Sequence, residues 1–250
     1  MKALLVTAHP DDIPLWIGGT ICRLNRWNSE QREWAARQCA FGNPVTPKPS
    51  QDWEWHGVAL CCSRSGVALK PTFDQTCREH HVNPMCFDFA DHGGEASEGT
   101  IRDMVKALED SLSGRAFDYV FTHSRSPNGE YGRHANHVEV REAVMRLVGR
   151  GQIVSEKSRL AFFSYWPLYR GCGTCARLKA EDGTVPTYMP LTYDALAAKM
   201  EWIRAFLKLG VTGNPHLSII QADLENIGWP CPNPEAFEGD GLQLPSPFTH

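Results

Sequence analysis

Short apolar runs alternate with amphipathic helical patterns along most of this 250-residue chain. The first run, residues 2–8, is short, apolar and rich in Leu and Val, which is typical of a strand buried on both faces of a parallel sheet. Helical spacing follows, because Leu15, Ile21 and Leu24 can share one face. Further strands are expected at 57–62, 86–89, 117–122, 160–165 and 219–220, and further helices at 75–81, 101–112, 134–148 and 191–209. This alternation predicts an α/β fold of Rossmann-like type, a mostly parallel sheet with helices on both faces.

The first strand and the strand that ends at Thr122 are each followed by a polar segment. In open parallel sheets, ligands bind beyond the carboxyl ends of the strands. The turn after Ala8 and the loop after Thr122 are therefore expected at the same edge of the sheet, although more than a hundred residues separate them.

Two clusters of metal-ligating side chains occupy these positions. His9-Pro10-Asp11-Asp12 supplies an imidazole and two carboxylates, and residues 129–137 supply His134 and His137 at the start of a helix. Two imidazoles and a carboxylate suit a catalytic zinc, which keeps an open position for water. Asp11 then remains as a carboxylate beside the ion. Zinc lowers the pKa of its bound water from 15.7 to about 7 while a neighbouring carboxylate takes the proton, which is sufficient to hydrolyse an amide.

Each cluster by itself also has an ordinary structural explanation. An aspartate at a strand-to-helix turn is often an N-cap, and a histidine at a helix start is often a surface residue. A nucleotide-binding module of Rossmann type is a further alternative. The first turn, however, lacks Gly-x-Gly-x-x-Gly spacing and carries two aspartates where a pyrophosphate needs free backbone amides. The position of both clusters after predicted strands favours the metal site.

The two clusters resemble the motifs of the LmbE-like or PIG-L family of zinc-dependent de-N-acetylases, of the N-acetylglucosaminyl deacetylase type. His9-Pro10-Asp11-Asp12 followed by Gly18-Gly19-Thr20 is similar to the first motif, and residues 129–137 are similar to the second. The resemblance covers the chain well as far as Val148 and the last third only loosely. The residues that it implies are the zinc ligands His9, Asp12 and His137, the general base Asp11, and His134 as an electrostatic aid at the transition state.

The resemblance also implies roles near the substrate. Tyr131 would polarise the substrate carbonyl, and Arg64 and Asp91, after the second and third predicted strands, would bind sugar hydroxyls. The implied activity is zinc-dependent hydrolysis of an N-acetyl amide on a sugar or a sugar-containing small molecule, with Zn²⁺ as the cofactor. An amidase that acts on a larger non-sugar or secondary-metabolite conjugate is the alternative, motivated by the tryptophan-bearing segment and by altered residues around the motifs.

Those altered residues are departures from the family pattern. Ile13 and Pro14 follow the two aspartates where the family has an acidic residue, and Asn136 precedes the last histidine where an aspartate is common. Arg133 is added ahead of His134 and is a candidate for binding an acidic group of the substrate. Because residues behind metal ligands tune affinity and orientation, these changes predict an unusual substrate or a rearranged environment of the ligands.

The overall composition restricts the partners of the chain. The formal net charge of -4 provides no broad cationic field for nucleic acid or for an anionic membrane surface. A membrane span and a secretion signal are not expected, so a cytoplasmic enzyme is predicted. The nine cysteines are then expected to be reduced thiols. Cys172 and Cys175 lack the further ligands of a structural zinc site.

The length is compatible with a single domain, 1–250. Within it, a segment near 27–56, rich in tryptophan and proline, is expected to be an insertion with a short helix near 29–38. From about residue 211 the chain is rich in Pro, Gly and Asn, which predicts an irregular tail. Association into a homo-oligomer stays open.

Overall fold

The computed structural model describes residues 1–41, 52–64, 67–124, 134–164, 187–189, 193–209 and 235–238. The strands are β1 (Lys2–Thr7), β2 (Glu54–Ala59), β3 (Ser63–Arg64), β4 (Val67–Ala68), β5 (Val82–Cys86), β6 (Phe117–His123), β7 (Val154–Ser164), β8 (Thr187–Met189) and β9 (Glu235–Glu238). The helices are α1 (Asp12–Trp16), α2 (Gly18–Ala40), α3 (Lys70–Glu79), α4 (Glu98–Leu112), α5 (Ala135–Gly149) and α6 (Tyr193–Leu207).

Within the described residues, the main sheet has seven strands in the order β5-β2-β1-β6-β7-β9-β8. Each pairing from β5 to β7 is parallel, whereas β9 runs antiparallel to both β7 and β8. The short strands β3 and β4 form a separate antiparallel pair. The predicted α/β class with a mostly parallel sheet is therefore confirmed.

The apolar first run forms β1, a strand in the interior of the sheet, and both faces of this strand are covered by helices. Ala3 and Leu5 belong to one buried cluster, and Leu4 and Val6 belong to the other. Side chains of a strand alternate between the two faces, so a central strand between two layers of helices has to be apolar throughout. The continuous pattern of β1 reflects this double burial.

The helices lie on both faces, as the alternation predicts. The first cluster joins the sheet to α1, α2, α3 and α6, through residues such as Ile13, Phe73 and Phe206. The second cluster joins it to α4 and α5, through residues such as Met104 and Val144. In the part of the chain that is described, each helix is too short or too polar to cross a lipid bilayer.

The chain reverses its direction of travel across the sheet beside β1. It first places β2 and β5 on one side of β1 and then returns to place β6 and β7 on the other side. At such a switch point the loops after the two adjacent strands turn away from each other and leave a crevice at their carboxyl ends. The crevice here is bordered by the turn after β1 and the end of β6.

Four elements differ from the sequence-based expectations. The helix expected near 29–38 is not separate, because α2 continues to Ala40 through a run rich in Glu, Gln, Arg and Ala, all strong helix formers. At the other end of the expected insertion, Trp55 is a buried residue of β2. The tail expected to be irregular contributes β9, which pairs with β7. The strand expected at 86–89 lies earlier, as β5, and the strand expected at 219–220 falls outside the described residues.

The expectation that every cysteine is reduced is wrong for one pair. Cys62 and Cys86 form a disulfide with their Cα atoms 6.3 Å apart. Ala59 of β2 lies opposite Cys86 in the parallel register, so the chain just beyond β2 passes the end of β5. This proximity comes from strand pairing and is not visible in the spacing of the cysteines. Cys22, Cys61 and Cys77 are buried cysteines that form no disulfide, as expected.

Candidate metal centre

The turn after β1 is fixed by its own polar groups. The backbone amide of His9 donates to Asp12 Oδ2 at 2.8 Å, and the amide of Asp12 donates to the His9 carbonyl at 3.2 Å. The amide of Cys61, beyond β2, donates to the Ala8 carbonyl at 2.7 Å. These bonds hold His9, Asp11 and Asp12 in buried positions at the carboxyl end of a buried strand.

The start of α5 brings the second cluster to the same place. His134 is the N-cap residue of α5, and His137 lies in its first turn. The rings of His134 and His137 have centroids 5.0 Å apart, and each lies near the ring of His9, at 4.9 and 5.2 Å. The predicted convergence of the two remote clusters is therefore present in the fold.

Three side chains present ligand atoms at mutual distances that suit one small cation. His9 Nδ1 lies 3.4 Å from Asp12 Oδ2, His137 Nε2 lies 3.6 Å from the same oxygen, and the two nitrogens are 3.3 Å apart. Tetrahedral zinc with ligands at about 2.0–2.1 Å needs neighbouring ligand atoms about 3.3 Å apart. The donor set of two imidazoles and a carboxylate is also one that catalytic zinc uses. His9, Asp12 and His137 thus fit a zinc ion.

Asp11 lies beside this triangle. Its carboxylate belongs with His9 and Asp12 to a group whose ligand atoms all lie within 4.8 Å of one another. Although Asp11 is the N-cap residue of α1, its side chain makes no capping hydrogen bond. The ordinary N-cap explanation of this aspartate therefore does not apply.

The charge of Asp12 is stabilised by the surrounding imidazoles. Burial alone would raise the pKa of Asp12, but the charge of His137 and the hydrogen bond and charge of His9 hold it well below its usual range. Asp12 is consequently ionised at neutral pH and is available as an anionic ligand.

Whereas imidazoles surround Asp12, carboxylates surround His9. Burial by itself lowers the pKa of this imidazole, but hydrogen bonds to Asp12 and Asp91, with the charges of Asp12 and Asp11, outweigh burial and raise the pKa to about 10. The negative potential that holds a proton on this ring also attracts a divalent cation. Metal ligation requires that proton to leave.

His134 is held neutral at physiological pH. Burial, followed by the charges of His137 and His9, lowers the pKa of His134 to about 4. Its Nε2 lies 3.7 Å from Asp91 Oδ1. A neutral imidazole at this position can donate a hydrogen bond to a substrate without bringing a full positive charge to a cation site.

His123 is expected from the sequence only to line the pocket, because it follows a predicted strand, and the structure places it directly behind the cluster. It is fully buried at the end of β6, and its ring stacks on that of His137, with centroids 4.0 Å apart. Its Nε2 accepts a hydrogen bond from the Ala8 amide at 2.8 Å, so this nitrogen is already committed although it lies 3.5 Å from Asp12 Oδ2. His123 therefore packs behind the proposed ligand His137 and supports the position of its ring. The one signal available in the sequence is its position at the end of a predicted strand.

Asp91 reaches the cluster from the segment after β5. Its Oδ1 lies 3.4 Å from His9 Nε2, on the side of the ring away from Asp12. The buried amide of Asn136 supports this segment: its Nδ2 donates to the Ala90 carbonyl at 2.9 Å, and its Oδ1 accepts from the His92 amide at 3.1 Å. An aspartate at position 136 could accept but not donate, so this departure from the family pattern has a structural use.

The remaining predicted site residues are placed less fully. Arg64 lies in β3, beyond the end of β2, and its side chain is outside the described part of the structure. Tyr131 and Arg133 fall within residues 125–133, which are likewise not described. Cys172 and Cys175 also lie outside it.

Sheet topology and cluster together define an α/β protein with, at its switch point, a His/Asp cluster that could hold a metal ion, and sequence comparison gives its family. The chain belongs to the PIG-L family, whose description is GlcNAc-PI de-N-acetylase, and the match covers residues 4–148. This membership places it among hydrolytic deacetylases. Among curated proteins, no sequence matches this chain significantly.

Solved structures share the fold at low sequence identity. N,N'-diacetylchitobiose deacetylase from Pyrococcus horikoshii is 16% identical, with a TM-score of 0.53 over 95% of this chain and 83% of that one. The A40926 pseudoaglycone deacetylase Dbv21 is 12% identical, with a TM-score of 0.56 over 94% and 95%. GalB, the 4-carboxy-2-hydroxymuconate hydratase from Pseudomonas putida KT2440, is 14% identical, with a TM-score of 0.52 over 98% of each chain. Since both deacetylases and a hydratase share this fold, the fold alone does not determine the reaction, which depends on the residues of the site.

Proposed function

We propose that this protein is a zinc-dependent hydrolase that removes the acetyl group from an amide nitrogen of a sugar or a sugar-containing small molecule. The observation that carries the proposal is the triangle of ligand atoms from His9, Asp12 and His137, 3.3–3.6 Å apart, with the Asp11 carboxylate beside it. Nitrogen and oxygen ligands that can bind a metal ion, together with a further carboxylate that can act as a base, are sufficient for hydrolysis of an unactivated amide.

Each residue of the cluster has a task in this reaction. Zinc, when bound by His9, Asp12 and His137, supplies Lewis acidity, which polarises a carbonyl and lowers the pKa of water to about 7. Asp11 accepts a proton from the water that attacks the amide carbon, and the same carboxyl group can then protonate the departing nitrogen. The buried position of Asp11 limits competition from bulk water for its proton.

His134 and Tyr131 act on the oxygen of the reacting carbonyl. As negative charge develops on that oxygen, the neutral His134 imidazole and the Tyr131 phenol donate hydrogen bonds to it. Arg133, next in sequence to His134, binds an acidic group of the substrate, and Arg64 contributes a polar contact to the sugar. The roles of Tyr131, Arg133 and Arg64 rest on the family resemblance, and that of His134 rests also on its place in the cluster.

The substrate class follows from the family and from two structural relatives. The family description names an N-acetylglucosamine lipid, and the relatives act on diacetylchitobiose and on an A40926 pseudoaglycone. These compounds differ greatly in size. An N-acetylated sugar alone or a sugar carried by a larger molecule are therefore the two substrates to compare, by turnover of N-acetylhexosamines against N-acetylated conjugates.

Replacement of Asp11 tests the mechanism. The purified protein should contain about one zinc ion and release equal amounts of acetate and amine from an N-acetylated sugar. Asp11→Asn keeps the shape of the side chain and removes the base, so kcat should fall ~10²–10⁴-fold with the zinc content retained. Asp103→Asn, an exposed aspartate on α4, is the matched control and should leave the rate unchanged. An Asp11→Asn enzyme as fast as the parent would end the proposal.

A further inference from the structure

The two ring nitrogens of His9 face two different carboxylates. Nδ1 points to Asp12 Oδ2 at 3.4 Å and to His137 Nε2 at 3.3 Å, whereas Nε2 lies 3.4 Å from Asp91 Oδ1. A histidine binds a metal through a nitrogen that carries no proton, and the other ring nitrogen then carries the N–H. If Nδ1 is the ligand atom, the N–H is at Nε2, and the acceptor next to it is Asp91.

From this geometry we infer that Asp91 is a positioning residue for the metal centre. Its carboxylate accepts the Nε2–H of His9, fixes the tautomer that presents Nδ1 to the metal, and strengthens that nitrogen as a ligand. This inference rests on the proposed zinc site and gives Asp91 a task other than the sugar contact implied by the family resemblance. In this role Asp91 acts through His9 and touches neither substrate nor metal.

The segment that carries Asp91 is hydrogen-bonded to α5 through the residues immediately before and after Asp91. The single amide group of Asn136 bonds to the carbonyl of Ala90 and to the backbone amide of His92, the two neighbours of Asp91 in sequence. Asn136 is fully buried, so these bonds do not compete with solvent. A segment without regular structure is thereby held at the position that His9 requires.

Glu139 provides a second attachment one turn along the same helix. This carboxylate is fully buried, and its Oε1 accepts from the Ser97 amide at 2.7 Å while its Oε2 lies 3.2 Å from His92 Nε2. Asn136 Nδ2 lies 3.4 Å from the same Oε2. A buried carboxylate that is satisfied in this way is costly to displace, which makes the segment a rigid support.

Helix α5 consequently acts on both sides of His9. It carries the proposed ligand His137, whose Nε2 faces Nδ1 of His9, and it carries Asn136 and Glu139, which hold the segment that places Asp91 at Nε2. The same helix therefore positions both the proposed ligand His137 and, through Asn136 and Glu139, the Asp91 carboxylate that supports His9. A role in sugar binding alone would not require Asp91 to point at His9.

Zinc affinity distinguishes the two roles of Asp91. Zinc dissociation constants are measured by competition with a chromophoric chelator for the parent, Asp91→Ala and Asp91→Asn proteins, with Asp88→Asn as the matched control. Asp88 is an exposed aspartate of the same segment. Asp91→Ala should bind zinc ~10–100-fold more weakly, and Asp91→Asn should be intermediate because its amide oxygen still accepts a hydrogen bond. Asp88→Asn should bind zinc as the parent does.

Kinetics at saturating zinc provide the second measurement. A positioning role predicts that Asp91→Asn then regains a KM equal to that of the parent, whereas a sugar contact predicts a raised KM with unchanged zinc affinity. Far-UV circular dichroism and thermal unfolding of the zinc-free proteins identify any variant that fails to fold, and Asp91→Asn serves if Asp91→Ala does not. Parent-like zinc affinity in the folded variants overturns the inference and leaves the proposed function standing. A parent protein that binds no zinc overturns both.

Discussion

The charged side chains at the switch point create an environment in which a proton and a metal ion compete for one nitrogen. The hydrogen bonds of His9 to Asp12 and Asp91 raise its pKa to about 10, so the ring is protonated at neutral pH until a cation takes its place. His134, a few ångströms away, is held neutral because burial and its neighbours lower its pKa to about 4. The two imidazoles therefore play different parts in spite of their proximity.

The raised pKa of His9 predicts that zinc binding depends on pH. Since the folded-state pKa of His9 is raised, the protonated ring persists from acid pH up to about 10, and zinc has to displace that proton. Apparent zinc affinity should accordingly rise by about tenfold per pH unit between pH 6 and 8, with release of about one proton or more per ion. Isothermal titration calorimetry in buffers of different ionisation enthalpy measures the protons released. Binding that releases no proton and is equally tight at both pH values would contradict this assignment.

Residue identities in the motifs were sufficient to predict which side chains meet, but not what supports them. The position of metal-ligating side chains at two predicted strand ends indicates one shared site, and the choice of His9, Asp12 and His137 within it comes from the family resemblance. For His123 the sequence indicates no more than a place in the pocket, because its hydrogen bond from the Ala8 amide, across β1 and β6, depends on the register of the sheet. The support of Asp91 by Asn136 and Glu139 depends in the same way on the packing of α5 against an irregular segment.

At the scale of single elements, β2 shows how closely its neighbours pack on it. A Cβ atom added at Gly57 would lie 2.9 Å from Val82 Cγ1 of β5 and 3.0 Å from Ile13 Cδ1 of α1. The absence of a side chain at Gly57 thus lets α1, which begins at the turn after β1, approach the sheet. This close packing fills the core and also helps to hold the turn that carries His9 and Asp12 in place.

Substitution of this glycine should consequently destabilise the protein. Gly57→Ala is expected to lower the free energy of unfolding by about 1–3 kcal/mol, because both neighbours are side chains in a packed core. Gly99→Ala in α4 is the matched control, since its nearest contact would be Ser97 Oγ at 3.5 Å and alanine favours a helix. Urea denaturation of both variants measures the difference. Equal stability of Gly57→Ala and the parent would show that the core at this position is loosely packed.

Element boundaries were predicted unevenly for physical reasons. Helices α4 and α5 were found nearly complete because each has one apolar face at helical spacing and a polar face toward solvent. The stretch after Trp27 is expected to hold a separate short helix near 29–38, because it is polar and lacks the apolar periodicity of the preceding turns; helix propensity instead continues α2 through it. Strand β9 was missed because four residues in a Pro- and Gly-rich region carry too short a pattern, and pairing with β7 supplies the reason for the strand.

At the scale of the whole molecule, the order of the strands produces the site. Because β1 and β6 are adjacent although separated in sequence by β2 and β5, the turn after β1 meets the start of α5, which follows β6. The alternating pattern alone predicts a parallel sheet and one functional edge, but it does not give the strand order. The position of both motifs after predicted strands indicates one shared edge, and the family resemblance adds which residues bind the metal. The single-domain organisation stays a prediction.

The central claim is that two remote stretches of chain bind one zinc ion. It is tested most directly by a crystal structure of the zinc-loaded protein, with anomalous diffraction data collected on both sides of the zinc absorption edge. The account predicts one anomalous peak bonded to His9, Asp12 and His137, with the Asp11 carboxylate adjacent but outside the ligand set. Zinc bound elsewhere, or a peak that lacks either His9 or His137 as a ligand, would contradict it.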